Sequence, residues 1–211
     1  RQEGYLRTSF YSNIILCCMR GNGNERENEE TIRIAAEFLS DSDGVVAVDL
    51  AGAEALFPTS DYEKLFAHAR AEGIPFTIHA GEAAGPESIR QAVDYGTARI
   101  GHGVNCIHDK NLMNIIAEKG ITLELCPTSN LNTKIVNDIK DYPIDKIINN
   151  KIKATINTDN MTVSGTDEAS EMKLICDTFG YDGNMRRIFV NNAIDAAFLS
   201  DEMKEKLRGN L

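Results

Sequence analysis

Long apolar runs are missing from this 211-residue chain, and the absence excludes a good deal. No stretch approaches the roughly 20 apolar residues needed to cross a bilayer, and the opening RQEGYLRTSF has no apolar core of a signal peptide. A cytoplasmic protein without a membrane partner is the expectation. Basic residues are also in deficit, 22 Lys and Arg against 32 Asp and Glu, for a formal net charge of −10. Such a field repels phosphate backbones and anionic lipid, so a small molecule is expected as partner rather than nucleic acid. Cysteine numbers only five, an odd count with no paired spacing, and Cys17 and Cys18 are adjacent, so they point to opposite faces if they lie on a strand. Reduced, buried thiols are expected in place of disulfides. What remains is an ordinary globular composition, 42% hydrophobic and 26% charged, with no linker or low-complexity tract. One domain over residues 1–211 is expected, large enough for a substantial core.

Apolar or β-branched runs recur at 13–19, 44–52, 74–81, 98–103, 121–127 and 152–159, six candidate strands in all. Segments of helical period lie between them: NEETIRIAAEFLSDS, DYEKLFAHARAEG, GPESIRQAVDYG with Pro86 in its first turn, DKNLMNIIAEKG and YPIDKIINNK. Glycines such as Gly73 and Gly120 close a helix just before the next strand. Strand and helix alternate throughout, and strands apolar on both faces suit a parallel sheet covered by helices. Two further helices are read after the last strand, over SGTDEASEMKLICDTFG and NMRRIFVNNAIDAAFLSDEMKEKLRG. The run GNGNERENEE has no phosphate-loop spacing and reads as a solvated loop leading into an acidic helix start.

Histidine is the scarcest chemistry-bearing residue, with four copies, and two of them stand at strand ends beside glycine. Asp49 with Gly52, His79 with Glu82, His102, Glu124 with Ser129, and Asp159 with Asn160 all fall at or just past the ends of expected strands. In parallel α/β folds that rim is where active sites assemble. Imidazoles with a carboxylate suit zinc, and a nearby Asp or Glu can move protons of its bound water. His79, His102 and Asp159 are candidates for either task, and composition does not separate ligand from base. Glu82 lies in the loop after His79, suited to an acid or base facing a substrate. His68 and His108 read as solvated or helix-facing, and Cys106, Cys126 and Cys176 as packing.

The motifs TIHAGE (77–82), RIGHG (99–103), LCPTSN (125–130), NTDN (157–160) and VAVDLAGAE (46–54) resemble, in order, successive strand-end motifs of the adenosine deaminases in the metal-dependent amidohydrolase superfamily. The resemblance implies a (β/α)8 TIM barrel, a zinc cofactor and hydrolytic deamination of adenosine to inosine and ammonia. By the same resemblance His79 and Asp159 are metal ligands and Glu82 gives a proton to purine N1. His102 orients the attacking water, and stabilises or deprotonates it. The Gly52 N–H would bond N3, where a residue without Cβ lets backbone approach the ring.

There are two departures from the family pattern. Asn160 stands where many relatives carry a second aspartate, and its amide can donate to an unprotonated N7. His-x-His, the pair of zinc ligands on the family's first strand, occurs nowhere in this sequence. With six strands where the barrel needs eight, the expectation is a C-terminal fragment lacking two βα units, with Arg1 an interior residue, weak or absent zinc, no deamination by this chain alone, and sheet edges open to self-association. Two other functions stay open: a metal-free purine-binding or assembly module, and a related deaminase acting on adenine or another aminopurine. The zinc deaminases of polynucleotides are disfavoured, because their His-x-Glu and Pro-Cys-x-x-Cys signature is absent.

Overall fold

The computed structural model describes residues 12–40 and 44–209. Six parallel strands are found among them: β1 (Ile14–Met19), β2 (Val45–Ala51), β3 (Thr77–Ala80), β4 (Arg99–His102), β5 (Thr122–Leu125) and β6 (Lys153–Ile156). Helices α1 (Glu25–Glu37), α2 (Glu63–Ala71), α3 (Pro86–Tyr95) and α4 (Lys110–Lys119) separate the first five. A short α5 (Pro127–Asn132) and α6 (Ile144–Asn149) precede β6, and α7 (Met161–Ser164), α8 (Glu168–Phe179), α9 (Gly183–Ala196) and α10 (Asp201–Arg208) follow it. Spatial order equals chain order, the strand-helix progression of a (β/α)8 barrel.

The ladder has a seam. β1 pairs with β2, and β3 to β6 pair in series, but β2 and β3 share only one bridge, Val48 with Phe76, closed by the Val48 N–H donating to the Pro75 carbonyl at 3.0 Å. Elsewhere the local chemistry is what the sequence leads one to expect. Pro86 opens α3 and Gly96 closes it in the left-handed conformation. The Asp109 side chain caps α4, accepting from the Leu112 N–H, and Gly120 ends that helix.

Ile78, Ile100 and Leu123 form the helix-facing side of β3 to β5 and are fully buried in one core that includes Phe66, Ile89 and Ile116. The opposite side is not apolar, contrary to expectation. His79, Gly101, Glu124 and Thr155 lie in one row across β3 to β6, next to Thr77 and Arg99. Arg99 Nε pairs with Glu124 Oε1 at 2.6 Å, the Thr77 hydroxyl donates to Glu124 Oε2 at 3.1 Å, and Arg99 Nη1 donates to the Ala196 carbonyl at 2.9 Å. The same guanidinium lies 4.0 Å over the Phe198 ring, fastening the turn between α9 and α10 to the start of β4.

Other expectations change as well. Residues 21–30 are not all loop, because α1 already begins at Glu25, with Glu25 and Glu27 favoured by the positive end of the helix. Its expected tail at 41–42 falls outside the described residues. The helix expected over 184–209 is broken by extended backbone at Ala197. Cys17 is exposed, pointing from β1 away from the core, while Cys18 is buried on the other face. The alternation of a strand thus places the two as expected, but only one of them is a packing residue.

Candidate active site

Three turns leave the C-terminal ends of β3, β4 and β6, and they bring four of the sequence-predicted residues together. The His79 and His102 rings lie edge to face, 5.2 Å between centroids. His102 Nε2 stands 3.5 Å from Glu82 Oε2. Asp159 joins from the β6 side, where its Oδ2 accepts from the Ser129 hydroxyl at 2.6 Å. His102 and Asp159 both have positive φ, 61° and 55°, a left-handed conformation disfavoured for residues with a Cβ and tolerated mainly where surrounding structure holds it. Asp49 and Glu124, expected at or just past strand ends, lie within β2 and β5 shortly before their last residues.

Each imidazole has one nitrogen fixed. Asp49 accepts from His79 Nδ1, with Oδ2 at 2.9 Å and Oδ1 at 3.1 Å, so Nδ1 carries a proton and Nε2 is the nitrogen left for other partners. Gly101 makes room for that ring: a Cβ there would fall 3.0 Å from His79 Cγ and Nδ1. Burial by itself would lower the His79 pKa, but the hydrogen bond and charge of Asp49, helped by Glu124 and Asp159, raise it to about 9.

His102 is ordered by a chain of buried donors. The Tyr142 hydroxyl donates to Asn130 Oδ1 at 3.0 Å, which turns the amide so that Asn130 Nδ2 donates to His102 Nδ1 at 3.1 Å. The His102 proton then resides on Nε2, the side facing Glu82. Burial pushes the His102 pKa down and the nearby His79 pushes the same way, against the opposing charge of Glu82. Glu82 Oε1 also accepts from the Thr133 hydroxyl at 3.2 Å.

Gly52 and Asn160 flank this cluster. Gly52 has a φ of 114° and lies against Arg20, whose backbone N and O would be 3.3 Å from any Cβ placed there. Asn160 caps α7, its Oδ1 accepting from the Val163 N–H at 3.0 Å, so the cap engages the oxygen half of its amide. Asn130, Tyr142 and Glu54 were not foreseen as site residues. Asn130 and Glu54 lie inside LCPTSN and VAVDLAGAE, but their chemistry depends on partners from other elements.

The adenosine deaminase family model matches residues 1–211. This chain belongs to the adenosine deaminase family. It is 46% identical to the adenosine deaminase of Haemophilus ducreyi over 212 residues, which covers 100% of this chain and 62% of that protein, its C-terminal part. An N6-methyl-AMP deaminase from Arabidopsis thaliana, solved without ligand, superposes with a TM-score of 0.84 at 28% identity, over 94% of this chain and 58% of that one. An amidohydrolase from Burkholderia ambifaria with bound zinc gives a TM-score of 0.88 at 22% identity, over 99% of this chain and 58% of its own, a likeness of fold. The six parallel strands therefore have the α/β barrel fold of these neighbours, of which this chain spans a part.

For this adenosine deaminase family member the donor set decides what can be said of metal. The Asp49–His79 pair is the carboxylate-histidine arrangement common behind metal-binding imidazoles. A catalytic zinc takes three protein donors plus water. Among the described residues no group of three or more His, Cys, Asp or Glu side chains is arranged to hold a metal ion. The described residues therefore do not by themselves make up a complete zinc centre. No helix among the described residues is long and apolar enough to cross a membrane.

Proposed function

We propose that this chain carries the proton-transfer side of a site for the hydrolytic deamination of adenosine to inosine and ammonia. The convergence of Glu82, His102, His79 and Asp159 at one end of the strands is the observation that supports it most directly. Deamination at C6 requires a proton delivered to N1 and a water held against C6. Glu82 is the proton donor: it stands at the turn after β3, partly exposed and beside His102. The Nε2 proton on His102 supports the orienting half of its role, as a donor to the attacking water. Gly52 N–H bonds N3, and the free half of the Asn160 amide bonds N7.

His79 and Asp159 are assigned as two of the donors to zinc. That metal would supply activation of the water when bound, and the donors among the described residues do not complete its site. An acidic chain fits a purine nucleoside better than a polynucleotide. Free, buried thiols at Cys18, Cys106, Cys126 and Cys176 fit a reducing compartment and support a cytoplasmic location. A related aminopurine is the second candidate substrate, favoured by the likeness to the Arabidopsis N6-methyl-AMP deaminase.

The test is adenosine turnover by protein containing residues 1–211, with zinc supplied. Glu82→Gln keeps the shape and removes the acid, so turnover falls by about 10²–10⁴-fold while inosine still binds. Unchanged turnover would remove Glu82 from the chemistry.

A further inference from the structure

The turn Gly81–Ala84 holds Glu82 in place, and its backbone is satisfied from two sides by side chains outside it. Glu54, buried after the end of β2, accepts four successive backbone N–H groups: Gly81 at 2.6 Å on Oε1, and Glu82, Ala83 and Ala84 at 3.1, 2.8 and 3.0 Å on Oε2. The amide of Asn105, just past β4, donates to the carbonyls of Glu82 and Ala84 at 3.0 and 2.9 Å. A turn with no regular ladder thereby has all four of its N–H groups bonded.

A second set of bonds ties Glu54 to the backbone of His79. Arg20 Nη2 donates to the His79 carbonyl at 2.7 Å and to the Thr59 hydroxyl at 2.9 Å. The Thr59 and Ser88 hydroxyls are 2.7 Å apart, and the Ser88 hydroxyl donates to Glu54 Oε1. Every proton in this series can point one way, from guanidinium through two hydroxyls to carboxylate. All of its members are buried. The Coulomb attraction of its charged ends and the polarisation of the hydroxyls between them make it stiffer than isolated pairs.

From this we infer that Glu54 is a positioning residue, setting Glu82 relative to His79 and so aiming the proton donor. Its effect on turnover rests on the role proposed for Glu82; its hold on the turn does not. In Glu54→Gln one acceptor oxygen becomes an NH2 group that must face donors, so part of the turn is released.

Hydrogen exchange at single amides tests the hold without turnover. In the unmodified protein the amides of Glu82, Ala83 and Ala84 exchange slowly although they lie in a turn. E54Q speeds them by at least about tenfold and leaves Ile78 and Leu123 unchanged. Ser88→Ala, which removes one hydroxyl and no backbone partner, speeds the same amides less, and keeps the test open should E54Q not fold. In the turnover arm E54Q lowers kcat about 10²-fold with KM within about threefold, the split expected of a misplaced proton donor. Fast exchange at 82–84 in the unmodified protein, unaltered exchange and kcat in both variants, or a uniform acceleration over all strands would overturn the inference. Turnover is read on protein that contains residues 1–211 and holds its zinc; if that protein turns over no purine, the deaminase assignment falls and the exchange arm alone decides on Glu54.

Discussion

Gly81 begins the turn that carries Glu82, and it leaves no room for a side chain. Its φ is +71°, and a Cβ there would lie 2.2 Å from Ile89 Cδ1 and 2.4 Å from Ile89 Cγ1. Ile89 is fully buried in the core face of α3, so it has no open space to retreat into. Gly81→Ala therefore has two costs: about 1–2 kcal/mol for a left-handed residue with a Cβ, and about 1–3 kcal/mol for overpacking. Ile89→Ala alone opens a cavity and costs about 2–5 kcal/mol. Combined, the two substitutions remove the collision, and the new methyl fills part of the space that Ile89 vacates, while the backbone cost remains. The double variant should then lose at least about 1 kcal/mol less than the sum of the singles. Urea unfolding followed by far-UV circular dichroism, comparing midpoints and slopes for all four proteins, measures this. Additivity within about 0.5 kcal/mol would show that Ile89 is not the wall that demands glycine.

Three more outcomes are expected. The 211-residue chain, dialysed against metal-free buffer and read by elemental analysis, retains well under one zinc per molecule, because His79 and Asp159 fall short of three donors; a full equivalent would mean another residue, with His102 the first suspect, acts as ligand. Asp195 is held below its ordinary pKa by hydrogen bonds from Arg208 and Lys153. The stability it contributes is thus fully present above the unfolded value of about 3.9 and disappears as pH falls through the lower folded value. The difference in stability between the parent and Asp195→Asn should vanish in that acid range and shrink with salt at neutral pH, and a constant difference down to pH 2 would count against it. Phe66, fully buried with its ring 4.8 Å from that of Phe76, should cost about 3–5 kcal/mol when changed to Ala, again read by urea unfolding.

Periodicity and glycine punctuation placed all six strands and most helices in the sequence, since local preference and burial agree there: Ile78, Ile100 and Leu123 are apolar because helices cover them. The polar row on the other face was hidden by strand length. In TIHA or TLEL one residue in two faces the site, too few for His79 or Glu124 to set a pattern of their own. His79, Glu82 and His102 were legible because each stands beside a turn that glycine marks, and Asp159 because it follows the end of an expected strand. Glu54 was not, since its five donors come from residues 81–88 and nothing in AGAE announces them. Asn130 and Tyr142 were missed for the same reason, because an amide's orientation is decided by its partners.

At the seam between β2 and β3 the backbone contributes one bridge, and most of the other polar links across that line belong to the site: Asp49 to His79, Arg20 to the His79 carbonyl, Glu54 to Gly81–Ala84. Separation there would break few ladder bonds and leave both groups of strands paired. Opening along this line is therefore resisted by the buried side-chain network rather than by the ladder, so whatever loosens the network loosens the site as well. When E54Q weakens that network, the alignment of Glu82 with His79 should be lost on gentle heating while the circular dichroism signal of helices and strands is still native, so exchange at residues 82–84 rather than secondary structure is the sensitive thermometer.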